Sequence, residues 1–261
     1  MQNHDGRKGM KGEKSTGADA AGPKRERGAT TIYSSLREDI LTLRLAPGSA
    51  VDEVDVARQF GLSRTPVREA LVMLSGEGLV RFLPNRSSII APLTMENMND
   101  YFDTLLILTR SIMVAAATKR LPQDGERLRQ LLAVFRESIG QEDVFRIVFA
   151  QLDLLKGFSL VARNDFLGKF FPTCLDYGRR TMLLHYFPFA APQDLVFVAD
   201  TYARLIEAVE KGDTSACNEI VNEQMNSVVR VVQRSLEPTF AESVDLSTDT
   251  YPRFKNLSKR K

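Results

Sequence analysis

The sequence predicts a mainly α-helical protein: a small N-terminal helix-turn-helix unit with a β-hairpin, followed by an all-α bundle. Three observations carry this. Apolar residues recur at helical spacing over most of the chain. Strand patterning is confined to residues 79–91. The pattern changes once, at about Pro92, after which every segment is helical.

Composition sets the bounds. The 261 residues are 43% apolar and 26% charged, as expected of a globular chain of one or two domains. No run of 18 apolar residues occurs, so no membrane span is expected. The N-terminus lacks the apolar core of a signal peptide. Cys174 and Cys217 both lie in apolar-periodic stretches, so a reducing cytoplasm is expected and a disulfide framework is not. Net charge is +2, which does not by itself mark a nucleic-acid binder; any such role rests on where the arginines point.

Residues 1–30 carry seven Lys/Arg, four Asp/Glu and few apolar groups, which predicts a disordered basic tail. Residues 31–92 form the first domain. Ile32, Leu36, Ile40 and Leu43 mark a first helix that Ala46-Pro47-Gly48 terminates. Asp52 caps a short second helix that Gly61 stops after Phe60. Ser63 caps a third, with Pro66 in its first turn, running to about Gly78. Residues 79–83 and 88–91 read as two strands joined by 84–87. Residues 93–237 form the bundle, with helices at about 95–121, 124–139, 142–162, 165–186, 193–211 and 214–236. Thr94 and Asp124 are the expected caps of the first two of these. Residues 238–261 read as a second basic tail.

The third helix holds the chemistry of the first domain. At about 100° per residue, Val67, Ala70, Leu71 and Leu74 share one arc, while Thr65, Arg68, Glu69 and Val72 face the other way with Arg64 at the flank. Gly61-Leu62-Ser63 joins this helix to the second as a helix-turn-helix. Its outward N-terminus offers N–H groups and guanidinium groups that suit phosphates, and Arg can pair with guanine O6 and N7. Asn85 and Arg86 at the hairpin tip would form a wing. A cationic helix start of this kind is equally compatible with a plain solvated surface.

The stretch APGSAVDEVDVARQFGLSRTPVREALVMLSGEGLVRFLPNRSSII resembles the winged-helix signature of the GntR family of transcriptional regulators. The resemblance covers about residues 31–92 and implies that Arg64, Thr65 and Arg68 contact DNA; Ser63 at the helix start and Asn85 and Arg86 of the wing complete the expected DNA-binding set. Two positions depart from the family pattern. Ser87 stands where the wing usually has glycine, and Val54 where many members carry an arginine on the second helix.

The helical half is similar to the FadR-type effector domain, FCD, through the segment 101–119 and the landmarks VARNDFL and EAVEKGD. Many such domains hold a metal through one Asp and three His. Here the corresponding positions are Gln151, Leu155, Tyr202 and Gln224. The whole chain has two histidines, His4 in the first tail and His185 on another helix, so no three-His site can be built and no metal or other cofactor is expected. Asp153, two residues off register, lies about 200° around its helix. The expected effector pocket is therefore metal-free, formed by Gln151, Leu155, Tyr202 and Gln224, with Arg110 as the grip for an anionic ligand. Each of these could equally be a satisfied core polar group.

The function implied is that of a sequence-specific DNA-binding transcriptional regulator, a repressor. It would act as a cytoplasmic homodimer on a palindromic double-stranded operator and answer to a small organic effector, without a membrane role. The alternative is a constitutive DNA-binding regulator whose bundle serves only dimerisation. Neither a Gly-rich phosphate loop, a His-Glu-x-x-His motif, a nucleophile elbow nor a Cys/His pair occurs, so an enzyme is not expected. Phe166, Phe170, Phe171, Phe187 and Phe189 are assigned to core or subunit interface.

Overall fold

The computed structural model describes residues 22–141 and 143–237. The expected tail over 238–261, most of the one over 1–30, and His4 lie outside the described residues.

Helix α1, Gly22–Leu41, begins within the stretch that composition assigns to a tail. The cause is tertiary. Ala29 is buried, and Gly28 packs so closely on Leu62 that a Cβ there would come within 3.0 Å of its Cδ1. Further along, Ile32, Leu36, Ile40 and Leu41 are buried against Val67, Ala70, Leu71 and Leu74 of helix α3, Arg64–Gly76. Between them lies α2, Glu53–Phe60, capped by the Asp52 carboxylate on the N–H groups of Val54 and Asp55 and ended by Gly61 at φ 62°. Three short strands close the domain: β1 (Ala50–Val51), β2 (Val80–Phe82) and β3 (Ser88–Ile90), antiparallel in the order β1-β3-β2. The hairpin register pairs Val80 with Ile90 and Phe82 with Ser88. At two residues, β1 is too short for an alternating pattern to announce it.

The bundle comprises α4 (Met95–Lys119), α5 (Asp124–Ile139), α6 (Val144–Val161), α7 (Asp165–Thr181), α8 (Pro192–Lys211) and α9 (Thr214–Leu236). Side chains of Thr94, Asp143, Asn164 and Asp213 cap α4, α6, α7 and α9. Asp124 is not the cap expected of it. Gln123 takes that position, and the Asp124 carboxylate accepts the N–H of Leu121 and a two-bond ion pair from Arg163 at 2.8 and 2.9 Å. That pair ties the α4–α5 turn to the end of α6. The segment expected to run as one helix to 186 changes character at 182. There α7 passes into a π-helical turn, Met182–Tyr186, an irregularity to which apolar spacing is blind.

Helix α4 is long and apolar enough to cross a bilayer by length and composition. It is the central strut instead. Ile112, Met113, Ala116 and Ala117 are fully enclosed by the surrounding helices, in one core with Phe135, Phe158 and Leu205.

Candidate nucleic-acid interface and bundle cavity

On α3 the buried stripe is Val67, Ala70, Leu71 and Leu74, with Pro66, as the wheel requires. Ser63, Arg64, Thr65 and Arg68 are all exposed on the other side. Ser63 occupies the N-cap with extended backbone (φ −76°, ψ 169°), yet its hydroxyl makes no capping bond. The first-turn N–H groups of α3 are thus left to solvent or to an anion. The two arginines differ. Arg64 donates to Glu53 on α2 at 3.1 Å, so part of its charge is already answered. Arg68 has no ion-pair partner among the described residues. Val54, at the position where relatives carry an arginine, is 47% exposed beside this surface.

The wing is a tight loop closed by Leu83 N–H to Ser87 O at 2.8 Å and Arg86 N–H to Leu83 O at 2.9 Å. The Asn85 side chain accepts from the Ser87 N–H and hydroxyl at 3.1 and 2.7 Å, so it shapes the loop rather than projecting freely. The left-handed residue is Arg86, at φ 65°, not Ser87. A serine at 87 is therefore unstrained, and the departure from the usual glycine has a structural answer one residue earlier.

In the bundle, Gln151, Leu155, Tyr202 and Gln224 do converge. They line one cavity of about 70 Å³ with Tyr101, Thr109, Arg179 and apolar neighbours from α4, α6, α7 and α9. Gln151 Nε2 donates to the Tyr202 hydroxyl at 3.1 Å, and Gln224 Nε2 donates to the Thr201 hydroxyl at 2.7 Å. The Tyr202 ring lies edge-on to Phe135 and stacked on Phe158. Burial pushes its hydroxyl up to about 12, against the lowering effect of the two glutamines. Two amides, a phenol and an alkyl group are not the N/O donor set of a borderline divalent ion, so the residues at the family's metal positions do not fit one. Asp153 faces solvent, away from the cavity. Among the described residues no three His, Cys, Asp or Glu side chains cluster to share an ion.

Arg110 does not reach this cavity. It is half-buried and donates to the Asn222 amide oxygen on α9. The cation on the cavity wall is Arg179, which no sequence motif marks. Its register could have found it: Phe171, Leu175, Arg179 and Met182 repeat at helical spacing, so Arg179 stands in an apolar stripe. His185 is half-buried with Nδ1 3.2 Å from the Ser235 hydroxyl, and burial lowers its pKa. Burial also pushes the Cys174 and Cys217 thiols up to about 11, which leaves little thiolate at neutral pH.

The two domains meet on α7. Arg37 of α1 bridges Glu77 and Asp176, each at 2.8 Å, and Tyr33 donates to Glu77. Gly78, at φ 71°, sits over the Tyr177 ring. Arg180, fully buried, donates to the Ala91 carbonyl at 2.8 Å. Asp176 also accepts from Arg179 at 2.6 Å. Although burial alone would raise it, these guanidiniums hold the Asp176 carboxyl below the usual carboxylate range.

Residues 29–90 match the family model "Bacterial regulatory proteins, gntR family", and residues 100–227 match that of the FCD domain. A Streptomyces ambofaciens protein named as an HTH-type transcriptional regulator in an unstable DNA locus is 50% identical over 60 residues, 23% of this chain and 25% of its own length. The HTH-type transcriptional repressor RspR of Escherichia coli strain K12 is 38% identical over 69 residues, 26% of this chain and 30% of its own. The chain thus spans less than a third of either relative. A solved structure titled E. coli McbR/YncC shares the fold, with a TM-score of 0.68 at 18% identity over 80% of this chain and 98% of that one.

Proposed function

Because this chain belongs to the gntR family of bacterial regulatory proteins and carries an FCD domain, we propose that it is an operator-binding transcriptional repressor whose hold on DNA is set by a small organic effector in the bundle, without a bound metal. The single observation behind the DNA-binding reading is the outward first turn of α3. Thr65 and Arg68, which has no ion-pair partner among the described residues, stand beside an open helix N-terminus, with Arg64 and Arg86 flanking. One such helix covers only a few base pairs. A cytoplasmic homodimer on a palindromic operator is the economical arrangement. Phe166 and Phe170, one turn apart on α7 and 75% and 54% exposed, favour a subunit contact.

Fluorescence anisotropy with labelled DNA from the chain's own upstream region tests this. Binding should weaken steeply with salt, in proportion to the phosphates neutralised. A log–log slope near zero would sink it.

One observation favours a second reading. Gln151 and Gln224 are already hydrogen-bonded within the bundle, so neither amide needs a ligand. On that reading the bundle only dimerises and DNA binding is constitutive. Thermal-shift screening of small organic molecules separates the two, since only an effector site gives a ligand-dependent melting temperature.

A further inference from the structure

We infer that Glu53 is a positioning residue for specificity: it withholds Arg64 from the DNA phosphates and reserves that guanidinium for a guanine edge. This rests on the reading of α3 as the element that meets DNA, and adds a division of labour within its first turn.

Arg64 and Glu53 join the first turns of α3 and α2. Arg64 Nη2 donates to Glu53 Oε2 at 3.1 Å. The partners are unequal, since the Glu53 side chain is 10% exposed and that of Arg64 65%. Arg64 is the one ion-pair partner of Glu53 among the described residues. A carboxylate so enclosed has little water to turn to, so it holds its guanidinium more firmly than a fully exposed acid would. Arg64 still has donors to spare, because a guanidinium carries several N–H groups in a fixed fork.

The surroundings decide what those donors take. Asp52, Glu53 and Asp55 stand together at the start of α2, with Asp52 and Asp55 exposed. Arg58 answers Asp55 at 2.7 Å. Val54 offers an exposed alkyl group there and no cation. A phosphate brought to Arg64 on this side meets carboxylates of its own sign, at separations too short for salt to screen well. A guanine edge carries no net charge. Its O6 and N7 accept from a guanidinium without setting an anion beside Glu53. A side chain already held in place also loses less freedom when it makes that contact. Arg68, one turn on, has no ion-pair partner among the described residues and is under no such restriction.

Anisotropy on the full chain tests this with two duplexes, one recovered by the chain from a random-sequence pool and one unrelated, each titrated with salt. Glu53→Gln keeps the shape and frees Arg64. It should steepen the log–log salt slope by about 0.9, as for one more phosphate neutralised. It should also tighten binding to the unrelated duplex, lowering the ratio of selected to unrelated affinity by about threefold or more. Glu53→Gln combined with Arg64→Gln leaves net charge unchanged. That double variant should keep the slope and the unrelated affinity, yet lose roughly tenfold or more on the selected duplex. Placing 7-deazaguanine, which lacks N7, at the guanine read by Arg64 should weaken the unaltered chain and leave the double variant unmoved. Melting curves report whether each variant is folded; if the single variant is not, the double variant decides. An unchanged slope in Glu53→Gln overturns the proposal. So does a double variant that keeps the selected affinity, or one that weakens on both duplexes alike with a flatter slope, since Arg64 then serves a phosphate. A chain that binds no duplex, or recovers no sequence from the pool, sinks the reading of α3 and this inference with it.

Discussion

Arg68 and Arg86 are both exposed cations on the face that would meet DNA, yet their backbones set different expectations. Arg68 is in regular helix and has no ion-pair partner among the described residues, so Arg68→Ala should leave the fold intact. It should weaken operator binding by roughly 1–3 kcal/mol if the guanidinium reads a base, measured by anisotropy. Arg86 sits at φ 65°, where a side chain costs about 1–2 kcal/mol relative to glycine. Arg86→Gly should therefore hold or raise the melting temperature while weakening DNA binding, because the relief of strain is partly offset by a looser unfolded chain. The outward residues of α3 were legible from a helical wheel, since burying Val67, Ala70, Leu71 and Leu74 fixes where Thr65 and Arg68 point. The place of Arg110 was not. It stands among apolar residues on a long helix, and only the packing of α9 against α4 draws it to Asn222 and away from the cavity.

Most helices were readable because each is bounded by a side-chain cap or a turn residue that acts locally. The exceptions depend on distant partners. The start of α1 depends on Leu62, the strand β1 on β3, and the π-helical turn after Thr181 on packing against α9. Helix α7 is also the element most exposed to small changes. At Gly178 an added Cβ would overlap the ring of Tyr101, which is buried and has little room to retreat. Gly178→Ala should destabilise the protein by about 1–3 kcal/mol through overpacking, seen as a lower urea midpoint. Gly140, with little beside it but a carbonyl at 3.9 Å, is the control and should tolerate alanine far better.

Across the whole molecule, carboxylates hold separate parts together. Asp176 joins the winged domain to α7, and Asp124 ties the α4–α5 turn to α6. For Asp124 the Arg163 hydrogen bond is the main cause of a lowered pKa; for Asp176 the guanidiniums outweigh burial. A carboxyl whose folded pKa lies below its unfolded value, about 3.9, stabilises the fold above that value. The contribution is lost as pH falls through the folded pKa. Melting temperature should thus hold from neutral pH to about pH 4 and drop below it. Asp176→Asn should start lower and show a shallower acid decline, since one of the linked protons is gone.

Helix α7 lines the cavity with Leu175, Arg179 and Met182 and holds the winged domain through Asp176 and Arg180, which has a genetic consequence. Codons 175–182 alternate between cavity wall and domain contact, so a random-mutagenesis screen should not sort its phenotypes by region. Alleles that alter the contact with the winged domain and alleles that alter the cavity should intermingle within eight codons. Selection there cannot tune one property without testing the other.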